Sequence, residues 1–237
     1  MDFIENSIIT HFKDTLLNPF INAIKKYELI KENDKIGVCI SGGKDSMIMA
    51  KLFQIYKSIS DIKFDVTYFV MNPGYNKKNL DLIKHNLKFL EIDASIIDTD
   101  IFEIANAQDK SPCYLCAKMR RGALYRIASE FSCNKIALGH HYDDVIITTL
   151  MNMLNSGSLQ TMLPKLHSKN YKGMELIRPC YLIKEKDIID FKNKHNLSFL
   201  ACACKFTETV ELNHLEKSQR LETKLLIERI KKDISNI

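Results

Sequence analysis

No uninterrupted apolar run in the 237 residues is long enough to span a bilayer. No segment repeats, and none falls into low complexity. Lys13, Asp14 and Lys25 interrupt the N-terminal region, which reads neither as a signal peptide nor as an anchor. The expected location is therefore cytoplasmic. The cysteines number seven, an odd count that disfavours a complete disulfide set. In a reducing compartment they read as metal ligands, reactive thiols or core residues. Excess charge is modest as well: 34 Lys and Arg against 29 Asp and Glu leave +5, which permits a nucleic-acid partner without demanding one. What is present suits a globular chain. A hydrophobic share of 46% and a charged share of 27% exclude a disordered or collagen-like polymer. The length favours one large α/β domain, or one domain with helical appendages.

Residues 1–30 form a helical segment, with Phe3, Ile4, Ile8, Phe12, Leu16 and Leu17 at helix-like spacing and Pro19 breaking or restarting it. Residues 31–205 form the main domain. Strand patterns at 35–40, 64–70, 94–97, 135–138, around Ile177 and at 197–200 alternate with helical patterns at 47–56, 79–90, 117–131, 145–154 and 184–195. Residues 98–112 read as irregular and 155–175 as a long connection. Residues 206–237 form a helical tail, whose helix at 213–233 has Leu215, Leu221, Leu225, Leu226 and Ile230 as apolar positions. The alternation predicts a doubly wound parallel sheet covered on both faces, with ligands at the carboxyl ends of its strands.

The distinctive residues follow strands. Ser41-Gly-Gly-Lys-Asp-Ser46 joins the first strand to a helix. Gly42 and Gly43 let backbone N–H groups approach an anion, and the helix N-terminus adds its positive dipole end. Lys44 can pair with phosphate, Ser41 and Ser46 can donate hydrogen bonds, and Asp45 can hold Mg²⁺ or cap the helix. An ordinary glycine turn with a serine cap would explain a bare Gly-Gly; it does not explain the whole string. Leu138-Gly-His-His-Tyr-Asp-Asp144 repeats the strand–turn–helix context. Gly139 would let the backbone pass close to a ligand, and His140 or His141 could contact phosphate or carry a proton. Asp143 and Asp144 suit the positive end of a helix, and either could bind a metal-bridged phosphate.

Cys113 and Cys116 form a Cys-x-x-Cys pair at a loop–helix junction, which can supply two ligands to one metal or a redox dithiol. Cys202 and Cys204 follow the last strand pattern and could converge on the same site. Four thiolates would suit zinc, and three would suit an iron–sulfur cluster with one open iron. Cys39 reads as a buried apolar residue, and Cys133 and Cys180 as core or surface thiols. Lys110, Lys118, Arg120, Arg121 and Arg126 flank the pair with no acid between residues 110 and 126, a charge that could offset thiolates or attract RNA phosphate. Tyr114 and Tyr125 could stack on bases but read first as core or helix-face residues.

The first loop lacks P-loop spacing and resembles the Ser-Gly-Gly-x-Asp-Ser loop of the N-type ATP pyrophosphatases, the PP-loop family. More specifically, Cys113-Tyr-Leu-Cys-Ala-Lys-Met-Arg-Arg-Gly-Ala-Leu-Tyr125, Lys135-Ile-Ala-Leu-Gly-His-His-Tyr-Asp-Asp144, Met162-Leu-Pro-Lys-Leu166, Ile177-Arg-Pro179, Lys184-Glu-Lys-Asp-Ile188 and Asn72-Pro-Gly-Tyr75 resemble the tRNA 2-thiocytidine synthetase family, in the same order. The resemblance implies a Rossmann-like, adenine nucleotide alpha hydrolase-like fold. It implies ATP- and Mg²⁺-dependent thiolation of cytidine 32 of tRNA, with adenylylation at C2 and sulfur delivered through a [4Fe-4S] cluster on three cysteines. ATP and Mg²⁺ would be held by Ser41, Gly42, Gly43, Lys44, Asp45, Ser46, Gly139, His140 and Asp143, with Asp45 and Asp144 as the catalytic candidates. The cluster would sit on Cys113, Cys116 and a late cysteine. The family has a late Cys-x-x-Cys where this chain has Cys202-x-Cys204, and Cys204 is favoured over Cys202 as third ligand. The sulfur donor would be a cysteine desulfurase or inorganic sulfide, and a homodimer is compatible. Two other classes remain: a nucleotide-binding regulatory module with structural zinc, and an iron–sulfur desulfurase acting on thiolated bases.

Overall fold

The computed structural model describes residues 3–107, 112–200 and 214–234. Among them, six strands form one sheet in the order β3-β2-β1-β4-β6-β5. These are β1 Lys35–Ile40, β2 Asp65–Asn72, β3 Ala94–Asp98, β4 Lys135–Ala137, β5 Lys165–His167 and β6 Glu175–Ile177. β1 runs parallel to β2 and to β4, as β2 does to β3 and β4 to β6. Chain order reverses between β1 and β4, and such a reversal opens a crevice at the carboxyl edge of an α/β sheet. β1 is buried over all but its first residue, which explains its near-continuous apolar sequence.

The helices are α1 Phe3–Thr10, α2 Asn18–Lys26, α3 Lys44–Ile59, α4 Lys77–Phe89, α5 Ile101–Asn106, α6 Pro112–Glu130, α7 Tyr142–Ser156, α8 Glu185–Lys194 and α9 His214–Ile234. Pro19 sits in the first turn of α2, where its missing N–H is harmless. The larger core packs α1, α2, α3 and α8 against one face of the sheet. Lys51 of α3, 1% exposed, makes a 3.1 Å ion pair with Glu5 that ties α1 down. The smaller core packs α6 against the other face.

Three local expectations are corrected. Residues 98–112 are not wholly irregular: α5 buries Ile101, Phe102 and Ala105, a pattern only six residues long. The long connection contains β5, which pairs antiparallel with β6 and closes the edge of an otherwise parallel sheet. Residues 197–200 are not a strand. Their backbone is satisfied elsewhere: Asn86 Nδ2 donates to Ser198 O at 2.8 Å, and Leu200 N donates to Gly42 O at 3.1 Å. In α9, Leu221, Leu225, Leu226 and Ile230 are exposed, whereas Thr223 is buried. Arg220 and Lys224 of that helix pair with Asp144 and Glu185, and Ile227 lines a cleft with Ile146, Ile147 and Ile189.

Candidate active site

The β1–α3 loop is braced from within. Gly42 adopts φ +83°, and a Cβ there would lie 2.7 Å from Ile83 Cγ1, so glycine is required on both counts. Ser41 N–H donates to Ser46 Oγ at 3.1 Å, the two serine hydroxyls share a 3.0 Å hydrogen bond, and Ser46 Oγ donates to Gly43 O at 3.0 Å. The serines therefore hold the loop's shape. Gly43 is the N-cap of α3 and offers no side-chain acceptor, so the first-turn N–H groups keep their capacity for an anion.

The β4–α7 loop lies directly on this turn. A Cβ on Gly139 would stand 2.9 Å from Ser46 N and 3.0 Å from the Asp45 carbonyl carbon. Gly139 thus allows this loop to approach α3 closely. The contact aligns Lys44 and Asp45 with the residues at the start of α7. Lys44 Nζ lies 3.0 Å from Asp45 Oδ1 and 3.3 Å from Glu185 Oε1. Burial disfavours the Lys44 charge, but Asp45 and Glu185 outweigh it and hold the ammonium above the ordinary lysine range. The Lys44 hydrogen bond goes to Asp45 Oδ2 at 3.1 Å, and the buried Oδ1 is held by the ion pair without a hydrogen bond.

His141, rather than His140, is the enclosed imidazole. It is 3% exposed and lies 3.8 Å from Asp45, 3.9 Å from Asp143 and 3.5 Å from Asp144. Asp143 Oδ2 accepts from Glu185 N at 2.7 Å, and Asp144 Oδ2 accepts from His141 N at 3.1 Å. His140 is half-buried. Burial and the neighbouring Arg178 lower its pKa, with Asp144 opposing, so it is neutral near pH 7, and its Nδ1 is buried without a hydrogen bond.

Sequence reasoning passed over four further residues here. Arg178 follows β6, is 9% exposed, donates to Leu163 O and leaves its Nε unpartnered. Glu185 opens α8 and faces Lys44. From α9, Arg220 bonds Asp144, and Lys224 lies 2.7 Å from Glu185. Arg178 and Glu185 lie within the strings that carry the family resemblance; nothing in the amphipathic pattern of α9 singles out Arg220 or Lys224.

The donor sets fit a Mg²⁺–nucleotide. Among the described residues no three His, Cys, Asp or Glu side chains converge as a metal site. A Mg²⁺ ion would need phosphate oxygens as ligands besides Asp45 or Asp143, its usual mode in nucleotide sites. Cys116 is half-buried on the first turns of α6. The side chain of Cys113 and all of Cys202 and Cys204 lie outside the described residues. Cys39, Cys133 and Cys180 are buried, and burial raises all three thiol pKa values, which keeps them neutral. Tyr125 is buried and stacks on Tyr171 at 4.9 Å, while Tyr114 is exposed beside Cys116. Lys118 and Arg121 are exposed on the same helix, and Arg126 pairs with Glu130.

Two glycine-bearing loops joined at the switch point define the PP-loop class, and the sequence model of the PP-loop domain matches residues 10–203. Relatives carry a narrower description. The tRNA-cytidine(32) 2-sulfurtransferase of Citrifermentans bemidjiense is 32% identical over 227 residues, covering 94% of this chain and 87% of that protein. The protein of the same description from Aeromonas salmonicida is 37% identical over 186 residues, covering 76% and 60%. The chain belongs to the tRNA-cytidine(32) 2-sulfurtransferase family of PP-loop enzymes. Among solved structures, the U34-tRNA thiolase NcsA from Methanococcus maripaludis, determined with its [4Fe-4S] cluster, shares the fold. Its TM-score is 0.69 at 23% identity, over 91% of this chain and 72% of that one. An NH3-dependent NAD synthetase from Campylobacter jejuni matches more loosely, with a TM-score of 0.50 at 14% identity over 95% of this chain and 87% of that one. No described helix is long and apolar enough to cross a membrane.

Proposed function

We propose that the protein is an ATP-dependent tRNA thiolase that places sulfur at C2 of a cytidine, position 32 by its family. One observation carries this reading: the Gly139 backbone rests on Asp45 and Ser46, so Asp45 meets His141, Asp143 and Asp144 around one small volume. Gly42, Gly43 and the first-turn amides of α3 would hold the β,γ-pyrophosphate of ATP. Lys44 would exchange its carboxylate partners for phosphate oxygens, which frees Asp45 to share Mg²⁺ with Asp143 and the phosphates. His140, neutral and with an unpartnered Nδ1, would border the nucleotide. O2 of the cytidine would attack the α-phosphorus and release pyrophosphate. Sulfur would then attack C2 and release AMP. Asp144 accepts hydrogen bonds from His141 N–H and Arg220 and so acts as a positioning residue.

Cys113, Cys116 and Cys204, with Cys202 as the alternative, would hold a [4Fe-4S] cluster. When bound, that cluster supplies an iron with an open position for sulfide, taken from a cysteine desulfurase or inorganic sulfide. The exposed Tyr114, Lys118 and Arg121 would meet the RNA. Residues 31–205 would form the catalytic unit between the helical segment 1–30 and the tail 206–237, in a cytoplasmic protein.

Anaerobic purification with iron, sulfide and zinc analysis tests the metal. About four irons per chain support the reading, and stoichiometric zinc overturns the cluster. Thiolation that proceeds without ATP consumption would point to the loops serving another reaction.

A further inference from the structure

The phosphate-binding edge is acidic until the tail is added. Asp45, Asp143, Asp144 and Glu185 crowd around His141 and Lys44. From the domain body, Lys44 pairs with Asp45 and Glu185, the buried Arg178 lies near Asp144, and Lys186 lines the same cleft as Asp143 and Glu185. A nucleoside triphosphate brings roughly four further negative charges, and like charges held a few ångströms apart in a half-buried cleft repel strongly. α9 corrects the balance. Arg220 bonds Asp144 Oδ1, and Lys224 bonds Glu185 Oε2 at 2.7 Å. Glu185 is the junction, because its other oxygen holds Lys44 at 3.3 Å. With Lys224 in place, Glu185 has a second cation and can release Lys44. With Lys224 gone, Glu185 holds Lys44 more tightly.

We infer that α9 is part of the nucleotide site: Arg220 and Lys224 are positioning residues that neutralise Asp144 and Glu185, so that Lys44 is available to the phosphates of ATP. This rests on the proposed ATP site and adds a requirement for the tail. Arg220 and Lys224 share a face of α9 with the buried Thr223 and with Ile227, which lines a cleft with Ile146, Ile147 and Ile189, while Leu221, Leu225, Leu226 and Ile230 are exposed. α9 lies beyond residue 203, where the PP-loop match ends, so the requirement does not belong to the PP-loop domain alone.

The test is equilibrium binding of Mg²⁺–ATP to the full chain by calorimetry, with circular dichroism confirming that each variant is folded. Lys224→Gln and Arg220→Gln should each raise the dissociation constant roughly tenfold, within the usual range of coupling between sites. Glu185→Gln in the Lys224→Gln background should recover most of that loss, since it removes the acid that recaptures Lys44; a merely structural defect would not be recovered. The effect of Lys224→Gln should shrink as KCl rises from about 50 to about 500 mM, because screening weakens partly exposed pairs. Reciprocity requires that Mg²⁺–ATP slow amide exchange in α9 of the wild type. Wild-type protein that binds no ATP would overturn the proposed function. Wild-type protein that binds ATP while Lys224→Gln and Arg220→Gln bind equally well or more tightly would overturn the role of α9 and leave the ATP site standing.

Discussion

At the scale of single residues, glycine carries the clearest meaning. Gly139 was legible in the sequence as a close-approach position, but what it approaches was not, since only the fold shows α3 lying beneath it. Gly139→Ala would drive a methyl into the backbone of Asp45 and Ser46, which has no soft direction in which to retreat. A stability loss of about 1–3 kcal/mol is expected from such overpacking, with loss of ATP binding at temperatures where the fold persists. Chemical denaturation and calorimetry check both parts. The histidine pair shows a similar limit. The sequence names two adjacent imidazoles, and packing alone determines that His141 is enclosed by three carboxylates while His140 is half-buried near Arg178. Ionisation in the site favours fixed charge. Burial pushes the Glu185 pKa up, but Lys224, Lys44 and His141 pull it below the ordinary glutamate value. A lowered carboxylate pKa stabilises above the unfolded value and loses that contribution as pH falls through the folded one. Amide exchange in α9, corrected for its intrinsic pH dependence, should therefore be unchanged between about pH 7 and pH 5 and rise only in stronger acid. Corrected exchange that rises already between about pH 7 and pH 6 would contradict this assignment.

At the scale of elements, periodicity located β1–β4, β6, α3, α4, α6, α7 and α8 because each has a face committed to the core. It failed where burial and secondary structure part company. Residues 197–200 are apolar because Leu197, Phe199 and Leu200 pack on the core, yet their hydrogen bonds go to Asn86 and Gly42 rather than to a neighbouring strand. α9 is different, since its Leu221, Leu225 and Leu226 are exposed while Arg220 and Lys224 make ion pairs with the domain. α6 combines both roles: Tyr125 and Ile127 fix it to the sheet, and Tyr114, Lys118 and Arg121 are left in solvent. Lys118→Glu with Arg121→Glu should weaken tRNA binding roughly tenfold or more and flatten its dependence on log[salt] by about one unit for each phosphate that is no longer neutralised, with ATP binding unchanged. Filter binding over a salt series measures the slope. An unaltered slope would place the RNA elsewhere.

At the scale of the whole molecule, the sheet order brings the loops after β1 and β4 together. That convergence could be expected from alternating strands and helices, together with the two strand–turn–helix motifs. The tail could not, because the docking of Arg220 and Lys224 depends on where α9 returns in space. The proposed cluster would depend on the same convergence. Cys116→Ser should lower anaerobically bound iron by more than half and abolish thiolation, while Cys39→Ser, in a buried neutral thiol, should keep the iron of the folded fraction. Iron analysis of the two variants separates ligand from core. The most direct measurement of the central claim is nucleoside mass spectrometry of unmodified tRNA incubated anaerobically with the iron-loaded protein, ATP, Mg²⁺ and sulfide. The expected result is 2-thiocytidine formed in step with AMP and pyrophosphate. ATP converted to ADP and phosphate, or tRNA left without 2-thiocytidine while AMP accumulates, would contradict it.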